Sequence, residues 1–135
     1  MKKFFSSILV ILVIICFLPF VLSLLTHDQT NKLAMVVDSI NPILSKKELY
    51  AKVATSKPFI IEKPQRVSQE KNYLYCVTAY DKNGKSRKLL CKSFGQPAKI
   101  QVGDYLLIKA KGQTVKFWKI ISRNKIPKNI IQEMN

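Results

Sequence analysis

The chain begins with a long apolar segment that contains no charged side chain. This segment covers residues 4–25 and follows Lys2 and Lys3. A helix of that length would span about 33 Å at about 1.5 Å per residue, which is enough to cross the hydrocarbon core of a bilayer. Because no polar face interrupts the segment, a helix buried in a soluble core is a poor alternative. We therefore take residues 1–25 as a membrane anchor or signal segment.

An uncleaved anchor and a cleaved signal peptide are both compatible with this segment. Its length exceeds the roughly 7–15 apolar residues of an ordinary signal peptide, which favours the anchor. Pro19, Val21 and Ser23 would allow cleavage after Ser23 and secretion, although there is no Ala-x-Ala site. By the positive-inside rule the basic N-terminus stays in the cytoplasm. We expect a single-pass protein of the cell membrane with its C-terminal domain outside.

The chain is strongly basic, with a net charge of +15. The excess is concentrated in residues 82–128, where Asp104 is the one acidic residue. Such a surface attracts polyanions. Outside a cell membrane the abundant polyanions are anionic lipid headgroups and cell-wall polymers, so nucleic acid is a less expected partner. The composition leaves the oligomeric state open.

Residues 26–47 are predicted to form a linker that contains a short amphipathic helix. Apolar residues recur there with helical spacing, at Leu33, Val36, Val37 and Ile40. The Asn41-Pro42 pair ends the pattern, because a residue before proline avoids the helical region. We expect the apolar face to pack on the following domain. A helix lying on the membrane surface beside the anchor is the alternative.

Residues 48–135 are predicted to form a basic β-barrel domain. Strands are predicted where the apolar pattern alternates, at 49–53, 73–81, 87–94, 105–110 and 115–121. Residues 59–61, between two prolines, are predicted to be an edge strand or a loop anchor. Five short strands separated by close turns indicate a mainly β fold, either a small barrel or a sandwich.

The first predicted hairpin carries Cys76 and Cys91, and its turn decides whether they meet. A two-residue turn would place Cys76 opposite Cys91. A three-residue turn, with Gly84 in the left-handed conformation, pairs Tyr75 with Cys91 and directs Cys76 to the other face. The second register gathers one apolar face from Tyr75, Val77, Leu89 and Cys91. We therefore predict that register and two free thiols.

Three segments resemble the YxeA-like family of small exported proteins of Gram-positive bacteria: YLYCVTAYDKNGKSRKL (73–89), VGDYLLIKAKGQTVKFWKI (102–120) and KIPKN (125–129). Weaker similarity at 38–44 and 49–53 extends the resemblance over residues 38–135. It implies a compact β-barrel of OB-like topology behind a signal peptide or anchor, and it implies no activity. Family members usually carry an aromatic or aliphatic residue at the position of Cys91, which implies an inward-facing side chain there.

The sequence contains no recognisable catalytic group. His27, the one histidine, is predicted to lie in the linker, so the two domain cysteines lack a histidine partner. No Cys/His cluster has metal-ligand spacing, and the four glycines form no phosphate loop. Cys16 follows Ile15 rather than a small residue, which disfavours lipidation. We expect no enzyme activity, metal or cofactor.

A weak polyanion site is predicted on the second hairpin, where lysines alternate with aromatic residues. Its members are Lys109, Lys111, Lys116, Lys119 and Trp118. This pattern is also typical of single-strand nucleic-acid surfaces, but it fits better a barrel wall with an apolar inside and a solvated outside. The favoured function is a non-enzymatic module held at the cell envelope that interacts with anionic lipid or wall polymer. The alternatives are a nucleic-acid or ligand-binding barrel and a subunit of a membrane complex.

Overall fold

An N-terminal apolar helix leads into a mainly β domain. A computed structural model describes residues 2–63, 70–94 and 97–134. The helices are α1 (Lys2–Leu25), α2 (Lys32–Ile40) and α3 (Lys128–Glu133), with a 3-10 turn at Arg123–Lys125. The strands are β1 (Lys46–Lys52), β2 (Ile60–Glu62), β3 (Asn72–Tyr80), β4 (Ser86–Phe94), β5 (Tyr105–Lys111) and β6 (Thr114–Ile121).

The strands of the described residues form one curled antiparallel sheet. Its order is β2-β3-β1-β5-β6, and β4 pairs with β3. β1 pairs with β5 along its whole length but meets β3 only at Tyr50 and Ala51. The curl brings β6 towards β4, where the Trp118 indole N–H donates to the Lys92 carbonyl at 2.8 Å. The predicted mainly β, barrel-like fold class is confirmed, and residues 60–62 form the expected edge strand.

The core lies on the concave face of the sheet, as the two-residue period of the strands requires. Its most deeply buried side chains include Leu89, Cys91, Leu106 and Ile108. A second, smaller cluster forms on the other face around Tyr50, Ile126 and Ile130, where α3 covers the sheet. The terminal segment therefore buries the outward face of β1 and β5.

The first hairpin adopts the predicted register. Tyr75 lies opposite Cys91 and Cys76 opposite Leu90. The Asp81 amide donates to the Lys85 carbonyl, and Gly84 has the left-handed φ of 78° that this three-residue turn needs. All three cysteines of the chain fall in described residues and all are free. The prediction of free Cys76 and Cys91 thiols is confirmed.

The two domain thiols are expected to react very differently with alkylating reagents. Burial, with a smaller effect from Cys76, raises the pKa of Cys91 to about 12, and burial also raises the pKa of Cys76. Since the thiolate is the nucleophile, we expect Cys91 to resist iodoacetamide at neutral pH until the domain unfolds. Cys76, which is only half-buried, should react first. Peptide mass mapping would show the order, and an intact mass short by two hydrogens would contradict the register.

The orientation predicted for α2 is wrong. Leu33, Val36 and Ile40 are 77%, 58% and 75% exposed, Val37 is half-buried, and Ala34 and Asp38 are buried. The helix therefore turns a partly polar face to the domain and leaves most of its apolar face outside. The physical reason is a set of hydrogen bonds to the β5–β6 turn, which no local pattern of α2 reveals.

Candidate functional site

The Asp38 carboxylate lies buried between the end of α1, helix α2 and the β5–β6 turn. Asp38 is 1% exposed. The backbone amide of Gln113 donates to Asp38 Oδ2 at 2.6 Å, and the Thr26 hydroxyl donates to Asp38 Oδ1. A buried carboxylate needs such donors, because unpaired burial of a charge is very costly. Asp38 therefore joins three elements that are distant in sequence.

Gly112 permits this close approach. Its φ is +56°, and a Cβ built there would lie 2.1 Å from Asp38 Oδ2. Any L side chain would thus be strained in its backbone and would also displace the carboxylate. The glycine is needed for the contact as well as for the turn.

Residues 26–29, which connect α1 to α2, are bound to the edge of β4. The Lys88 amide donates to Asp28 Oδ1 at 2.8 Å. The buried Gln113 side chain donates through Nε2 to the Gln29 and Lys88 carbonyls, each at 2.9 Å. Part of the segment predicted as a linker is therefore held on the sheet by hydrogen bonds.

Further contacts hold both ends of α2. At its C-terminal end, Asn41 Nδ2 donates to the Pro19 carbonyl of α1 at 2.8 Å, and Lys111 Nζ donates to the Ser39 carbonyl at 2.8 Å. At its N-terminal end, Lys32 Nζ lies 3.0 Å from Glu62 Oε1 on β2. The hydrogen bond from Lys32 lowers the pKa of the Glu62 carboxyl. Helix α2 is thus connected to α1 and to the sheet.

The apolar face of α2 lies beside a second exposed apolar surface on α1. Residues Ser6–Leu25 form a helix that is long and apolar enough to cross a membrane or to act as a signal sequence, and none of it is buried. The exposed apolar residues also include Leu24 and Leu25 at the end of α1 and Ile43, which follows α2. The surface of a soluble protein rarely carries apolar patches of this extent. The two helices therefore present a candidate contact site for lipid or protein.

A pocket of about 190 Å³ lies where α1 connects to the sheet. It is bounded by His27, the start of β1 and the β3–β4 turn, and its cationic residues are Lys47, Lys85 and Arg87. We call the site formed by His27, Lys47, Lys85 and Arg87 the cationic pocket. His27 Nδ1 lies 3.2 Å from Asp28 Oδ2, while His27 Nε2 is buried and has no hydrogen-bond partner among the described residues.

The predicted polyanion residues do not form one surface. Trp118 pairs with Ile108 and packs against the core, whereas its neighbour Lys119 pairs with Leu107 on the opposite face. Lys109 Nζ lies 3.4 Å from Glu48 Oε1, and Lys111 is bound to α2. Of the four lysines, Lys116 and Lys119 are exposed and have no hydrogen-bond or ion-pair partner among the described residues.

Sequence reasoning missed both the Asp38 contact and the cationic pocket. The one local signal for the Asp38 contact was the presence of this charged residue within the apolar pattern of α2. Its partner glycine, Gly112, lies in a turn far along the chain. The pocket gathers residues from four separate segments and has no sequence signal. Within residues 2–63, 70–94 and 97–134, no group of three His, Cys, Asp or Glu side chains could hold a metal ion.

Comparison with known proteins places the chain in a family. It is similar to the crystal structure of a DUF1093 family protein from Bacillus subtilis, with 20% identity, a TM-score of 0.48, and coverage of 71% of this chain and 98% of that one. It is also similar to the solution structure of a membrane associated protein from Bacillus cereus, with 17% identity, a TM-score of 0.47, and coverage of 67% and 84%. No curated protein matches the chain significantly. The sequence profile of proteins of unknown function DUF1093 matches residues 42–124, and the chain belongs to that family.

Proposed function

We propose that this protein is a non-enzymatic module outside the cytoplasm. Helix α1 tethers it, and helix α2 lies against the extracytoplasmic surface of the cell membrane. There the protein's positive charge binds anionic lipid or cell-wall polymer. The observation that carries the proposal is the exposed apolar face of α2, which lies beside the apolar helix α1. We also infer that the chain is of the YxeA-like kind within DUF1093, which the three segments of the second half of the chain support.

The position of α2 along α1 agrees with the depth of a membrane interface. Asn41 contacts Pro19, which lies six residues before the end of α1. Six helical residues correspond to about 9 Å. Amphipathic helices at a bilayer surface bury their apolar face about 5–10 Å below it. If α1 spans the membrane, α2 therefore reaches the boundary between headgroups and acyl chains.

Charge supplies the second part of the proposed function. The net charge is +15, and each Lys or Arg close to an anionic membrane contributes about 1 kcal/mol of attraction. The weak polyanion site of Lys109, Lys111, Lys116, Lys119 and Trp118 remains part of this proposal. Because Trp118 packs on the core and Lys111 binds α2, the exposed Lys116 and Lys119 are its best candidates for transient contacts.

Salt-sensitive binding to anionic surfaces tests the charge component. The full chain in nanodiscs of neutral lipid should bind phosphatidylglycerol vesicles or purified anionic wall polymer at low ionic strength. About 0.5 M salt should release it, because the screening length then falls to a few ångströms. Vesicles of phosphatidylcholine serve as the control in a co-sedimentation measurement. Absence of binding at low salt would exclude the charge component.

Topology is tested separately in cells. A reporter enzyme that folds only outside the cytoplasm, fused after residue 135, should be active. The fusion protein should fractionate with membranes and retain its full mass. An inactive reporter would contradict the proposed location, and a soluble product shortened by the first 23 residues would show the cleaved alternative.

A further inference from the structure

We propose that the cationic pocket of His27, Lys47, Lys85 and Arg87 binds the phosphate group of an anionic phospholipid. Assigning the phosphate to a lipid rests on the membrane tether proposed above. The preference of the pocket for a phosphate rests only on its own residues. The two parts are therefore separable by experiment.

The lining of the cationic pocket carries more positive than negative charge. Within residues 2–63, 70–94 and 97–134, none of Lys47, Lys85 and Arg87 takes part in an ion pair. The one carboxylate in the lining is Asp81, and its Oδ1 accepts the Asn83 and Lys85 amides at 2.9 and 3.0 Å. Asp81 is therefore held in place by its own turn, and it offsets one of the three positive charges. The positive charge that remains around the cavity favours an anion within it.

His27 supplies an independent observation. Its Nε2 is buried yet has no hydrogen-bond partner in the described part of the chain, and it belongs to a residue that lines the pocket. Buried polar nitrogens in native proteins nearly always have a partner. The Nδ1 atom faces Asp28, so Nε2 is the ring nitrogen that lacks a partner, and a small rotation of the imidazole would bring it to a ligand in the cavity. An arginine and a histidine beside two lysines suit the several acceptor oxygens of a phosphate, because charged donors make the stronger hydrogen bonds.

The size and surroundings of the pocket favour a lipid headgroup. Pockets for drug-sized ligands occupy about 300–1,000 Å³, so a cavity of about 190 Å³ suits a headgroup fragment instead. Two of its apolar lining residues, Ile43 and Leu44, follow α2, and His27 follows the end of α1. Both helices carry the exposed apolar surface described above. The pocket is thus connected to the proposed membrane contact and would receive a phosphate at the depth of the headgroups.

Lipid retention by the purified full chain tests this proposal. Native mass spectrometry in detergent would compare phosphatidylglycerol with phosphatidylcholine, and titration would compare phosphatidylglycerol with soluble glycerol phosphate. The pocket variant is Lys85→Gln with Arg87→Gln. The matched control is Arg123→Gln with Lys128→Gln, which removes the same charges from exposed positions outside the pocket. The pocket variant should bind phosphatidylglycerol at least about tenfold more weakly, as expected for loss of a charge-assisted hydrogen bond, and the control should be unchanged.

A second measurement does not depend on the folding of variants. His27 is the one histidine of the chain, so protein labelled with nitrogen-15 at histidine gives a single pair of imidazole signals. Addition of phosphatidylglycerol should shift the Nε2 signal. An unchanged Nε2 signal under saturating lipid would overturn the proposal.

The remaining outcomes separate the possible failures. Equal weakening in both variants would mean that binding follows overall charge, which overturns the pocket and leaves the proposed function intact. No binding of phosphatidylglycerol by the unaltered chain would overturn both. Glycerol phosphate bound as tightly as the lipid, and lost in the pocket variant, would keep the phosphate chemistry and overturn the lipid as its source.

Discussion

The Gly112→Ala protein is expected to lose the docking of α2 on the sheet. The new methyl group would lie 2.1 Å from Asp38 Oδ2, at a backbone φ of +56°. The left-handed backbone alone costs about 1–2 kcal/mol for an L side chain. Displacing the carboxylate would also leave the Gln113 backbone amide without its acceptor, at about 1–3 kcal/mol for a buried group, whereas the Thr26 hydroxyl keeps the Leu22 carbonyl. The combined loss of several kcal/mol should be enough to release the helix.

Hydrogen–deuterium exchange of the full chain in nanodiscs would measure this release. Amides of residues 32–41 should exchange much faster in Gly112→Ala, while those of β3 and β4 should keep their protection. Gly103→Ala is the matched control, because Gly103 also has a positive φ, of +94°, but its Cβ would meet nothing within 4 Å. Unchanged protection of α2 in Gly112→Ala would show that the Asp38 contact does not hold the helix.

A tryptophan placed at position 36 is expected to sit among lipid acyl chains. Val36 is 58% exposed on the apolar face of α2, together with Leu33 and Ile40. Transfer of each such side chain fully out of water is worth about 1.5–3 kcal/mol. In nanodiscs, Val36→Trp should add an emission component that is blue-shifted and strongly quenched by brominated lipids. The native Trp118 provides the background signal, because it packs on the core of the sheet.

Val102→Trp provides the matched control for lipid contact. Val102 is also an exposed valine, 67% accessible, but it precedes β5, whereas the turn that binds α2 follows β5. Seven strand residues separate the two sites by about 23 Å. The emission that Val102→Trp adds should resemble that of tryptophan in water. Equal, unquenched emission from both variants would contradict the proposed membrane contact of α2.

The β-domain was predictable because its determinants are local. Alternating apolar residues mark β3 and β4, and the Asp81-Lys82-Asn83-Gly84 sequence allows a two-residue or a three-residue turn. The three-residue turn, with Gly84 at positive φ, is the one that gathers Tyr75, Val77, Leu89 and Cys91 on one apolar face. Once that turn is chosen, the two-residue period assigns every side chain to a face. The register of Tyr75 with Cys91 and the free thiols follow from these facts alone.

The predicted polyanion site shows where local reasoning is incomplete. Lysines and aromatic residues are close in sequence on β6, but neighbours on a strand point to opposite faces. Trp118 therefore turns to the core and Lys119 away from it. Basic composition determines the charge of the domain, whereas the sheet determines which charges share a surface. The cationic pocket arises only where the β3–β4 turn meets the start of β1.

By itself, the sequence determined the apolar N-terminal helix, the strands and the hairpin register, since each depends on residues that are close together in the chain. Only the tertiary structure decided the orientation of α2. Its apolar pattern indicated burial of the face formed by Leu33, Val36, Val37 and Ile40, yet most of that face is exposed. The buried residues are Ala34 and Asp38. The reason is that the Asp38 carboxylate receives the amide of Gln113, 75 residues away, beside a glycine that leaves room for it. This contact has more influence on the orientation of α2 than its apolar periodicity does. A buried charge must keep its hydrogen bonds, whereas an exposed apolar face can be covered by another apolar medium.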